Sequence, residues 1–250
     1  MEFLKDFGLI AAAAWLATTA LYFGLGFAIR AWARRHPDRK IQAGSDGEAR
    51  AGAEIRESLR SIAVTSLCLA LAIAMTRHGL TLWSPMKGWA GVLFGAALLI
   101  VGYDLYYYLA HRLLHTKRFV KFHRWHHQSR APTVWSTDSQ SPVETLMIQS
   151  WMVWAALLLP IPPLAFVLHR LYDHVNGQFG HCGYEFFADR STRAPSPLVC
   201  TTYHDQHHEL YSWNYGNFTS LWDRLFGTLH PDYDRLVKLR SEAPPPAPAE

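Results

Sequence analysis

The stretch GLIAAAAWLATTALYFGLGFAI, residues 8–29, runs for 22 residues without a charge. At about 1.5 Å of rise per residue, a helix of that length crosses a hydrocarbon core of about 30 Å, so the segment is expected to lie in a bilayer. It follows two acids and a lysine and ends in arginines, unlike a cleavable signal peptide, and is read as a retained anchor. Similar apolar runs cover 61–76, 88–110 with the single acid Asp104, and 145–172. The last is too long for one span and is broken by Pro160-Ile161-Pro162-Pro163, which predicts two segments joined as a hairpin. Half of the residues are hydrophobic while mean hydropathy is only −0.04, as segregation into apolar and polar blocks requires. The expected fold is all-α and polytopic, with four to five hydrophobic helices.

Arginine and lysine crowd the links after the first and third segments, whereas the link after the second offers only Arg77 and Lys87 and the proline hairpin none. The positive-inside rule then places the two basic links in the cytoplasm, with the amino terminus outside and the carboxyl terminus inside. A formal charge of +4 is accounted for by that topology and by lipid headgroups, and no nucleic-acid partner is expected. Cys68, Cys182 and Cys200 form no CxxC pair and suggest no disulfide framework.

The polar blocks, 111–144 and 181 to about 231, carry most of the 14 histidines. His111 and His115 form HRLLH, His123, His126 and His127 form HRWHH, and His204, His207 and His208 form HDQHH. At this histidine content one HxxHH match arises by chance roughly 0.04 times per chain, and two about once in a thousand chains. Residues three and four apart share a helix face, so HxxxH offers two imidazoles to one side, and HxxHH offers two with the extra neighbour splayed toward a second centre. Eight imidazoles exceed the coordination of one ion, and two metal ions are the economical reading. His181, at the end of the last apolar segment, reaches the same membrane boundary as His111 and is a ninth candidate. His174, two turns earlier on that face, is a tenth. A lone histidine is usually a packing or surface residue, and His36, His78, His169 and His230 are read so. Asp104, Glu144, Asp173 and Asp205 are candidate acceptors for the outer ring nitrogens. HExxH, GxSxG, Walker and ExxH patterns are absent.

These three clusters, with the tracts HRWHHQSRAPTVWSTDSQSPVE and HDQHHELYSWNYGNFTSLWDR, resemble the fatty acid hydroxylase and sterol desaturase superfamily of membrane di-iron oxygenases. The resemblance runs from about Tyr103 to Pro231. It implies a cytoplasmic helical cap holding a histidine-rich dinuclear site, two iron ions, O2 as co-substrate, and oxidation of an unactivated C–H bond on a membrane lipid such as a sterol or fatty acyl chain, by hydroxylation or desaturation. The implied metal ligands are the eight cluster histidines with His181 and His174. Electrons are expected from a separate cytochrome, ferredoxin or reductase, since no such element is recognisable in the chain. The implied organisation is an anchor and loop over 1–60, a catalytic domain over 61–241 and a disordered Pro-rich tail over 242–250, in a bacterial inner membrane rather than an endoplasmic reticulum. The competing readings are a histidine-rich membrane metal-binding or transport protein and a haem-binding electron carrier, which needs only one or two axial histidines.

Overall fold

The computed structural model describes residues 1–189 and 197–242; the Pro-rich tail falls outside them. Among the described residues the chain is helical, and strand pairing is limited to two isolated bridges, Lys40–Tyr184 and Leu198–Thr219. Helix α1 (Glu2–Ala33) packs along α2 (Ala51–Arg77), and α3 (Gly88–Leu114) follows. These three are long and apolar enough to cross a membrane. In the most apolar window of α1 only 6% of the residues are buried, and Leu4, Leu9, Leu16 and Phe27 point outward. Such a surface belongs in lipid rather than water. By contrast α2 is the central helix, and two of its inward hydroxyls are satisfied within it: Ser66 Oγ and Thr76 Oγ1 donate to the carbonyls of Ile62 and Ala72.

The long apolar run at 145–172 is divided as the prolines predict, though into shorter pieces. Ser141 caps α5 (Pro142–Gln149), its Oγ accepting from Glu144 N, and α6 (Trp151–Leu158) follows after a break at Ser150. The prolines stop α6, and Pro163 opens α7 (Pro163–Gly180) at the position where its missing N–H costs nothing. Among the described residues there are thus three long apolar helices and a hairpin whose arms are shorter or more polar. The hairpin turn meets the 78–87 link, where Leu82 N and Met86 N donate to the carbonyls of Leu157 and Pro160. That is the end opposite the histidines.

The histidine end is covered by α8 (Thr201–Leu210), α9 (Leu221–Phe226) and α10 (Tyr233–Glu242). One apolar core, including Leu69, Leu99, Met152 and Phe166, ties the long helices to the hairpin, and another, with Tyr203, Tyr233 and Val237, fastens the cap. Gly26 admits the Trp135 ring against α1: a Cβ there would lie 2.9 Å from that ring. The same ring packs the 129–141 loop over the histidines.

Candidate metal centre

Histidines reach the covered face from α3, from the turns that follow it, from α7 and from α8. The last turn of α3 supplies His111 and its C-cap His115; α4 (Val120–His123) supplies His123, and the single turn after it His126 and His127. His181 caps α7, and α8 contributes His204, His207 and His208. The ring nitrogens converge as two groups, His111, His115, His123, His127 and His207 in one, and His126, His181, His204 and His208 in the other, with the atoms of each group within 4.8 Å of one another. Nine of the ten histidines expected from the sequence thus come together. The tenth, His174, lies outside both groups: its Nδ1 is 3.0 Å from an Arg170 nitrogen and 3.2 Å from Asp138 Oδ2.

The outer nitrogens fix the chemistry of the inner ones. His126 Nδ1 faces Ser139 O at 3.2 Å and His181 Nδ1 faces Gly177 O at 2.8 Å. A carbonyl only accepts, so both rings carry their proton on Nδ1 and present a bare lone pair at Nε2. Those two lone pairs lie 3.2 Å apart. His111 and His207 are set the same way in the other group, by Tyr215 O at 2.9 Å and Trp213 O at 2.6 Å. Facing lone pairs in a buried site repel unless a cation lies between them. Two ligands at right angles on an ion with bonds of about 2.1 Å would be ~3.0 Å apart. The closest inner Nε2 pairs lie at 2.9 Å for His181 with His204 and 3.1 Å for His127 with both His115 and His207. The donor set therefore fits metal binding.

Burial keeps these rings neutral, as ligands must be. It holds His115 and His181 down at about 4 and His126 at about 3, and lowers His123, His127, His204, His207 and His208 as well, with neighbouring rings of like charge adding to the effect in the last five. Of the four acids expected as acceptors, only Glu144 bonds a cluster histidine, His123 Nδ1, at 2.7 Å. Burial pushes its carboxyl well above the ordinary value. Asp104 instead receives Phe218 N, Thr219 N, Thr219 Oγ1 and Trp222 Nε1, Asp205 holds Gln42, and Asp173 holds Arg170.

The residues that sequence reasoning missed are backbone carbonyls. Two of them, of Trp213 and Tyr215, come from a strap over 211–220 in which Tyr211 and Asn214 take positive φ (64° and 59°). Asn214 ties the strap down by donating to Tyr203 O and accepting from His230 N. Asp223 accepts from Tyr215 N, Gly216 N, Thr228 Oγ1 and the Tyr203 hydroxyl. The tract WNYGNFTSLWDR thus reads as the device that aims two histidines. Tyr211 also packs against His127, ring centroids 4.4 Å apart.

Fold and site together define a helical protein of membrane type whose cap carries two buried histidine groups built to hold cations. The family model for fatty acid hydroxylase matches residues 96–228, more than half of the chain, and the chain belongs to that family. It is similar to methylsterol monooxygenase 1 of Rattus norvegicus, with 31% identity over 63% of this chain and 55% of that protein. It is also similar to a cholesterol 25-hydroxylase-like protein of Danio rerio (25% identity; 68% of this chain, 75% of that protein) and to the fatty acid hydroxylase vlmA of Lecanicillium sp (26%; 66% and 49%). The chain thus spans about half the length of the first and last of these relatives. No solved structure matches it.

Proposed function

We propose that this chain oxidises an unactivated C–H bond of a membrane lipid with O2, at two iron ions held by nine histidines. His111, His115, His123, His127 and His207 would hold one ion, and His126, His181, His204 and His208 the other. The observation that carries the reading is the His126–His181 pair, two lone pairs facing at 3.2 Å with both outer nitrogens committed to carbonyls. Iron bound there would supply activation of O2. The chain's own residues keep nine imidazoles neutral and dry, aim them through four carbonyls and Glu144, and leave more room for an added ligand at the four-histidine group than at the five-histidine one.

The relatives act, by their names, on methylsterols, cholesterol or fatty acids, which supports a sterol or a fatty acyl chain as substrate. Hydroxylation places one oxygen atom in the product and releases the other as water, desaturation removes two hydrogens and releases both oxygens as water, and either outcome consumes two electrons and two protons. The electrons would come from a separate cytochrome, ferredoxin or reductase. The basic links at the histidine end support a cytoplasmic site, and the membrane is taken to be a bacterial inner membrane. On this reading 1–60 is an anchor with its loop and 61–241 the catalytic domain.

A transport path is disfavoured because both groups lie at one end of the helices, and a haem carrier leaves most of the histidines without a role. The test is metal analysis of the purified protein together with lipid extraction from cells with and without the gene, grown under ^18O-labelled O2. About two iron ions per chain and a lipid carrying the label, or one lacking two hydrogens without label, are expected. A haem absorption band, or identical lipid profiles, would overturn the proposal.

A further inference from the structure

Between Asp104 and Asp138 the chain has no acid, yet Arg112, Lys117, Arg118, Lys121, Arg124 and Arg130 all fall there. All six are exposed, and among the described residues none is paired with an acid. By contrast Arg60, Arg224 and Arg235 each have an acid beside them, Glu57, Asp234 and Asp232. The positive-inside rule explains an excess of cations at this end, but acids contribute little to it, so topology leaves their absence without a cause.

The same interval carries His111, His115, His123 and His127, four of the five rings of one metal group. Of the nine converging histidines His115 alone is half-buried; the other eight are buried. Its Nε2 faces His127, and among the described residues no carbonyl or carboxylate holds its outer nitrogen, whereas Tyr215 O, Glu144 and Trp213 O hold those of His111, His123 and His207. Two half-buried tyrosines lean on the same group. The Tyr215 ring lies 5.0 Å from that of His115, the Tyr211 ring 4.4 Å from that of His127, and the Arg130 guanidinium stands 6.0 Å over Tyr211. The five-histidine group thus has an edge at the surface, inside a field of uncompensated positive charge. A field of one sign speeds and orients the encounter with a partner of the other sign, which suits a partner that must arrive and leave at every turnover.

We propose that this face docks an acidic one-electron carrier protein, and that electrons enter at the five-histidine group, past His115, Tyr211 and Tyr215, rather than at the four-histidine group. The inference rests on reading the histidines as an oxidation site. Each reduced carrier gives up one electron, two carriers serve each lipid oxidised, and the two protons come from water. The iron-loaded protein in phosphatidylcholine nanodiscs is assayed for binding to two acidic carriers, a plant-type ferredoxin and the haem domain of a cytochrome b5, and to basic cytochrome c. At least one acidic carrier is expected to bind, with an affinity that falls about tenfold or more between low salt and ~0.5 M salt, while cytochrome c does not bind. Lys117→Glu with Arg118→Glu should weaken binding about tenfold and Arg130→Glu about threefold, with metal content unchanged, whereas Arg235→Glu on α10 should have no effect. Without O2, the reduced carrier should be reoxidised faster by His126→Ala protein, which keeps the five-histidine group whole, than by His207→Ala protein. Binding by neither acidic carrier, equal binding of cytochrome c, wild-type affinity in both charge-reversed proteins, or equal or faster reoxidation by His207→Ala protein would overturn the proposal. So would charge reversal that alters only the retention of phosphatidylglycerol added to the nanodiscs, which would give the face to lipid. Labelled product formed despite such an outcome would keep the oxidation reading and sink this one alone.

Discussion

Nδ1 of His123 lies 2.7 Å from Oε1 of Glu144, and both side chains are buried. The contact orients one ring of the five-histidine group through the cap of α5, where Ser141 also receives Glu144 N. Such outer partners are typically worth about 10–100-fold in metal affinity. Glu144→Ala should lose that much, measured as metal retained against a competing chelator, while Glu144→Gln, which keeps an acceptor oxygen, should lose less. Equal retention by wild type and Glu144→Ala would show that His123 needs no orienting acid.

His126 and His207 come from different clusters and belong to different groups. Each alanine variant should abolish product, yet each should keep about one metal ion per chain, because the other group stays whole. His174→Ala should keep two. Metal analysis by mass spectrometry separates these outcomes; loss of both ions from either single variant would mean that the two groups do not bind independently.

Gly216 sits where the strap passes over α8, and a Cβ there would meet Thr219 O at 2.4 Å and the Tyr203 hydroxyl at 2.7 Å. Overpacking of this kind costs about 1–3 kcal/mol. Gly216→Ala should therefore lower the melting temperature and, by shifting the neighbouring Tyr215 carbonyl off His111, weaken metal retention as well. A variant that melts and binds metal like wild type would show that the strap has slack.

Cluster spacing in the sequence pointed to eight of the nine histidines that come together, and the end of the last apolar segment to the ninth, His181. Helix periodicity puts His174 on the His181 face, whereas its contact with Asp138 comes from the 129–141 loop, far off in sequence, where Oδ2 lies 3.2 Å from its Nδ1. Spacing could not show that Asp104 serves the strap rather than a histidine, since its partners Thr219 and Trp222 lie more than a hundred residues away. Backbone carbonyls that set a tautomer leave no letter in the sequence at all. The hydrophobic runs gave the helices, while the break at Ser150 and the polar lining of α7 are properties of packing.

Asp104 supplies the last test. It sits buried on α3 seven residues before His111, and it accepts from Phe218 N at 2.9 Å, Thr219 N at 3.2 Å, Thr219 Oγ1 at 2.6 Å and Trp222 Nε1 at 3.0 Å. Replacing it by leucine strands four donors, of which each unpaired buried group costs about 1–3 kcal/mol, so a loss of roughly 3 kcal/mol or more is expected. Asn keeps one acceptor oxygen and should cost less, with its amide turned toward the hydroxyl of Thr219. Because these donors continue directly from the strap that carries the Tyr215 carbonyl, Asp104→Leu should also release metal faster, although Asp104 touches no histidine. Thermal unfolding with and without bound metal reads both effects. A leucine variant with wild-type melting and metal retention would mean that the strap is held by Asn214 and Asp223 alone.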